Sequence, residues 1–170
     1  FNNLALLSWH IRDTSTEHIS KLSEIITPKN LYKIILPYEF IILSTCNRVE
    51  IYIYSYRNNH LIDDVIGYID DKVKNDESIE SSMHLLRSEN AYKHLLNVTS
   101  GLKSLALGEY QIQGQVKNTY INAMKNPKEF FLKSIRRNKV KNLFYIIIMC
   151  LLIGCTQKVS PPSEKKSSLL

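Results

Sequence analysis

Neither a G-x-G-x-x-G fingerprint nor a Walker A loop occurs in the 170 residues, so the chain carries no recognisable nucleotide site of its own. Cysteine is scarce. Three residues, an odd number without a C-x-x-C pair, exclude a disulfide framework and give no zinc signature. Cys46 is therefore expected to be a reduced, intracellular thiol. The apolar run at residues 143–153 is 11 residues long, where a membrane span needs about 20. No initiator Met stands at position 1, and the true start is expected upstream. The length suits one domain with a real core and is too short for two of full size.

The formal charge of +6 is unevenly placed. Residues 125–170 hold ten Lys or Arg against two Glu, a net of +8, which leaves −2 for residues 1–124. The basic character belongs to the tail, so it gives no argument that the globular part binds nucleic acid.

Along the chain, Asn3 to Ile11 reads as a first strand ending near His10. Thr14-Ser15-Thr16-Glu17 has the form of a capping box before Ile19, Leu22, Ile25 and Ile26, which predicts a helix over about 15–26. Thr27-Pro28 then reads as an N-cap with proline at the first helical position of a second, short helix. Asn58 and Asn59 mark a turn. Leu61, Val65, Ile69 and Val73 form the inward stripe of the next helix, whose other face carries Asp63, Asp64, Asp70 and Asp71. Residues 75–82 read as a polar loop, Met83 to Arg87 as a short strand, and Ser88 onward as a helix with Ala91, Leu95 and Val98 inward. LKSLAL follows between Gly101 and Gly108, then a helix from Glu109. Strands and helices mix without the regular alternation of a dinucleotide-binding fold. The fold class expected is α+β, a small mixed or antiparallel sheet with helices packed on one face, followed by a helical segment.

The chemistry centres on residues 41–55. Ile41 to Leu43 and Val49 to Ser55 read as two strands, the second alternating Val49, Ile51 and Ile53 with Glu50, Tyr52 and Tyr54. Ser44-Thr45-Cys46-Asn47-Arg48 makes a polar corner between them. Cys46 there is either a small buried apolar residue or a nucleophile whose thiolate Arg48 stabilises. His94 is either a surface histidine or a proton shuttle. Ser104 lies among leucines, where backbone usually satisfies a hydroxyl. Gln111 and Gln115, four apart, share a helix face that suits a pocket wall or a wet surface.

STCNRVEIY at 44–52 and SGLKSLALGEYQIQGQVKNTY at 100–120, with a histidine ten positions before Ser104, closely resemble the catalytic domain of the glutamyl-tRNA reductase family over about residues 3–124. The resemblance implies an NADPH-dependent oxidoreductase that reduces the glutamyl group of glutamyl-tRNA to glutamate-1-semialdehyde, on the way to porphyrins and other tetrapyrroles. It implies that Cys46 takes the glutamyl group as a thioester and that His94 assists by proton transfer. Thr45, Asn47 and Arg48 would hold the substrate, and Ser104, Glu109, Gln111 and Gln115, with Tyr110 among them, would contact it or close its pocket. Two departures stand out. The family's first strand usually ends in a block like N-H-K-T-A-P, of which His10 remains, and Tyr110 replaces the proline of E-P-Q.

The family's catalytic helix runs on into an NADPH-binding domain and a long helix that forms the homodimer. Here Asn126-Pro127 interrupts it, and a basic flank, an apolar run and Leu152-Ile153-Gly154-Cys155 resemble a lipoprotein signal with its lipobox. The organisation expected is a reductase-like catalytic domain over 1–124, cut short before its cofactor domain. A tail over 125–170 follows, read as a joined or frame-shifted sequence with a disordered end. Such a chain would be cytoplasmic, or membrane-associated through residues 143–155. It would take the glutamyl group without completing the reduction, behaving at most as a slow esterase. An inactive tRNA-binding relic and a membrane-tethered protein acting through its tail are the competing readings.

Overall fold

The computed structural model describes residues 3–35, 38–55, 60–74, 76–100, 114, 115 and 118. The Asn58-Asn59 turn, the segment between Gly101 and Gly108, Ser104, Glu109, Tyr110, Gln111 and the tail at 125–170 lie outside them.

The described elements run β1 (Leu4–His10), α1 (Thr16–Ile25), α2 (Pro28–Ile35), β2 (Glu39–Ser44), β3 (Arg48–Tyr54), α3 (Leu61–Val73), α4 (Glu77–Ser81), β4 (His84–Arg87) and α5 (Ser88–Thr99). The helix starts have local causes. Ser15 caps α1 by accepting the His18 N–H at 3.1 Å, and Thr27 Oγ1 accepts the Asn30 N–H at 3.3 Å as Pro28 opens α2. Residues 75–82, expected as loop, contain α4. The Asp76 carboxylate caps it through the N–H groups of Ser78 and Ile79, and Ile79 is buried, so one apolar residue among polar ones anchors the turn.

The sheet has four strands in the order β2-β3-β1-β4, and every pairing is antiparallel. It is the α+β architecture expected. Ala5, Leu7, Trp9, Val49, Ile51 and Ile53 face one core with the apolar sides of α1, α2, α3 and α4. Leu4, Leu6, Ile41, Leu43 and Tyr52 face a second core closed by Ala91, Leu95 and Val98 of α5. Helices therefore cover both faces rather than one, and β1 and β3 are buried on each side. The chain enters α5 directly from β4, with Ser88 in the left-handed region at φ 53°. That sharp entry lays α5 back across the sheet. Among the described residues, no helix is long and apolar enough to cross a membrane.

Candidate active site

Strand alternation fixes which side chains share a surface. On the α5 face, β3 presents Arg48, Glu50 and Tyr52, while β1 presents Leu4, Leu6, Ser8 and His10. Register sets Ser8 opposite both Glu50 and His84, and His10 opposite Arg48. The face is thus apolar around Leu6 and Tyr52 and turns polar toward the end of β1. There the side chains surround a cleft of about 570 Å³ lined by Ser8, His10, Arg12, Asp13, Arg48, His84, Leu86 and His94.

Glu50 is the hub of this polar end. Its side chain is fully buried, yet Oε1 accepts from Arg48 Nη1 at 3.1 Å and lies 2.8 Å from His94 Nε2. The Tyr52 hydroxyl donates to Oε2 at 2.8 Å, and the Ser8 hydroxyl lies 3.5 Å from Oε1. Burial alone would raise the carboxyl's pKa. The hydrogen bond and charge of His94, the Arg48 guanidinium and the Tyr52 hydroxyl outweigh it, so the group sits below its usual range and is ionised at neutral pH. Across the cleft, His84 Nε2 pairs with Asp13 Oδ2 at 3.2 Å, and His10 Nδ1 accepts the Arg12 N–H at 3.1 Å. Burial first, then the charges of Arg48 and Arg12, lower the His10 pKa against the pull of Asp13 and Glu50.

The corner between β2 and β3 stands at the same end. Thr45 N–H donates to the Arg48 carbonyl at 2.9 Å and Thr45 Oγ1 accepts the Asn47 N–H at 3.2 Å, which closes a tight turn with Cys46 at its tip. Ile11 N–H donates to the Asn47 carbonyl at 2.9 Å and ties the turn to β1. Cys46 is a free thiol and exposed, so the buried apolar reading of this residue does not hold. The backbone hydrogen bonds pin the turn and leave Cys46 exposed at it.

Of the residues singled out in the sequence, Thr45, Cys46, Asn47, Arg48, His94 and Gln115 are described, and they gather at this one end. Gln115 Nε2 donates to the Ser44 carbonyl at 2.6 Å, bringing the second sequence block against the first. Arg48 was expected beside the thiol or a substrate carboxylate, and the structure gives it Glu50 as an ion-pair partner. Ser104, Glu109, Tyr110 and Gln111 are not among the described residues. Sequence reasoning missed Glu50, His84, Arg12 and Asp13. For Glu50 a signal was present, since strand spacing puts it on one face of β3 with Arg48 and Tyr52; the others meet only through the β1-β3 and β1-β4 pairings. Among the described residues, no group of three or more His, Cys, Asp or Glu could hold a metal ion.

The family model described as "Glutamyl-tRNAGlu reductase, N-terminal domain" matches residues 8–137. The chain belongs to this family. Curated relatives named glutamyl-tRNA reductase agree: the Clostridium acetobutylicum protein is 37% identical over 112 residues, covering 66% of this chain and 26% of its own length. The Shewanella halifaxensis protein is 41% identical over 86 residues, covering 50% of this chain and 20% of its own, and the Sulfolobus acidocaldarius protein is 40% identical over 85 residues, with the same shares. The matches thus span about a fifth to a quarter of those reductases. The solved structure of glutamyl-tRNA reductase from Methanopyrus kandleri superposes with a TM-score of 0.63 at 20% identity, over 91% of this chain and 34% of that one. This likeness shows that the α+β fold is that of the reductase family.

Proposed function

We propose that this domain accepts the glutamyl group of glutamyl-tRNA on Cys46 as a thioester, the acyl-transfer half of glutamyl-tRNA reduction. The observation that carries the reading is an exposed cysteine at a pinned turn, two residues from Arg48 and at the same end of the sheet as a cleft that Arg48 and His94 line. Family membership supplies the substrate class.

In this reading the Cys46 thiol loses its proton and Sγ attacks the ester carbonyl. A C–S bond forms, the ester C–O bond breaks, and the terminal ribose oxygen leaves with a proton, so that ester and thiol become thioester and alcohol. His94 moves the proton. A guanidinium has five N–H donors, enough for Arg48 to hold Glu50 and a glutamyl carboxylate together, and charge-assisted pairs of this kind fix orientation as well as affinity. Gln115 braces the corner through the Ser44 carbonyl, while Thr45 and Asn47 shape the turn.

NADPH is the hydride donor the family uses. The described residues do not fit it: the sheet is antiparallel throughout, and no glycine-rich strand-to-helix turn is found among them to approach a pyrophosphate. These residues supply no hydride, and a thioester left without one is open to water.

Deacylation of glutamyl-tRNA by the chain tests the reading. Slow release of glutamate that disappears in Cys46→Ser supports it, and release at the same rate in Cys46→Ser overturns it.

A further inference from the structure

We propose that Glu50 is a positioning residue for the acyl transfer: it holds His94 in the tautomer protonated on Nε2, so that the proton exchanged with the reacting groups passes through Nδ1. The kinetic part of this inference rests on the reading of Cys46 as acyl acceptor.

An ionised carboxylate can only accept hydrogen bonds. His94 Nε2, 2.8 Å from Glu50 Oε1, must therefore carry the hydrogen between them. In a neutral imidazole the other nitrogen, Nδ1, is then the basic one. The carboxylate is itself held at both oxygens, Oε1 by Arg48 and Oε2 by the Tyr52 hydroxyl, so it offers His94 a fixed acceptor. All three β3 residues project to the α5 face, and α5 carries His94 across it. The same logic makes a buried carboxylate set the tautomer and orientation of a catalytic histidine in hydrolase triads. The other charged or titratable groups facing His94 across the cleft are Arg48 from β3, His10, Arg12 and Asp13 from the end of β1, and His84 from β4.

A carboxylate that served only to fill the core would affect stability and leave the histidine's chemistry alone. Long-range proton–nitrogen correlation spectra of the chain labelled with nitrogen-15 histidine separate the two, with the His94 signals assigned by their loss in His94→Gln. At a pH where the His94 ring is neutral the inference predicts its Nε2–H tautomer, and an Nδ1–H tautomer overturns it. Transfer of labelled glutamate from glutamyl-tRNA to Cys46 is then compared in Glu50→Gln across pH. The rate should fall at least about tenfold, given that general acid–base catalysis contributes roughly 10²–10⁴-fold, and the limb of the pH–rate profile that vanishes in His94→Gln should be displaced. An unchanged rate and profile overturn the proposal. If Glu50→Gln does not fold, the tautomer in the unsubstituted chain decides. A chain that takes no label at any pH counts against Cys46 as acceptor, and the tautomer still decides whether Glu50 directs His94.

Discussion

Gln115 Nε2 donates to the carbonyl oxygen of Ser44 at 2.6 Å, and through this bond a residue from the second sequence block closes on the strand that ends at the Cys46 corner. A single hydrogen bond of this kind contributes about 1 kcal/mol net. Gln115→Ala should lower stability by about that amount in urea titration and slow glutamyl transfer to Cys46 by more than the stability loss accounts for. Equal transfer rates in the two proteins would separate Gln115 from the site.

Arg48 and Glu50 are both buried and paired at 3.1 Å. Removing one partner leaves an uncompensated charge in the core, which costs about 3–5 kcal/mol. Glu50→Ala should therefore destabilise strongly, while the isosteric Glu50→Gln should lose distinctly less because the amide still fills the site. Chemical denaturation of both variants measures the difference, and equal losses would mean that charge alone, and not the filled volume, matters here.

Stability should fall on acidification in two windows. Glu50 has a folded-state pKa below its usual 4.5, so the unfolded chain takes up that proton first. Its contribution is complete above about pH 4.5 and is lost as the pH drops through the lower folded-state value. His10 is lowered from 6.5, so here too the unfolded chain binds the proton first, and stability declines as the pH falls below 6.5. Urea midpoints between about pH 3 and 8 should show a shallow decline and then a steeper one, with the steeper part reduced in Glu50→Gln. An identical acid slope in that variant would contradict the assignment.

Trp9 is the chain's single tryptophan and is 1% exposed, with Nε1–H donating to the Ile79 carbonyl at 3.1 Å. Its fluorescence should report β1 and α4 unfolding together. Trp9→Ala should cost about 3–5 kcal/mol through the cavity it leaves, and Trp9→Phe less. A red-shifted emission in the native chain would show that α4 does not cover the ring.

The strands, the first three helices and α5 were legible because apolar periodicity and caps are local: Leu61, Val65, Ile69 and Val73 all turned inward as spaced. The helix α4 was not, since Ile79 is one apolar residue in a polar stretch and its burial is decided by Trp9, seventy positions away. The polar side of β3 was hidden for a similar reason. Glu50 looks like an ordinary alternating residue until α5 covers that face and supplies His94. The Cys46 corner, in contrast, stood out because its turn chemistry is contiguous, although its exposure depends on the hairpin that forms around it.

The most direct measurement is acid-quenched transfer of labelled glutamate from glutamyl-tRNA to the chain, followed by peptide mass analysis. The account predicts a glutamyl adduct on the peptide containing Cys46, released by hydroxylamine as a thioester is, absent in Cys46→Ser and strongly reduced in His94→Gln. Label that appears on another residue, or that persists in Cys46→Ser, would contradict it.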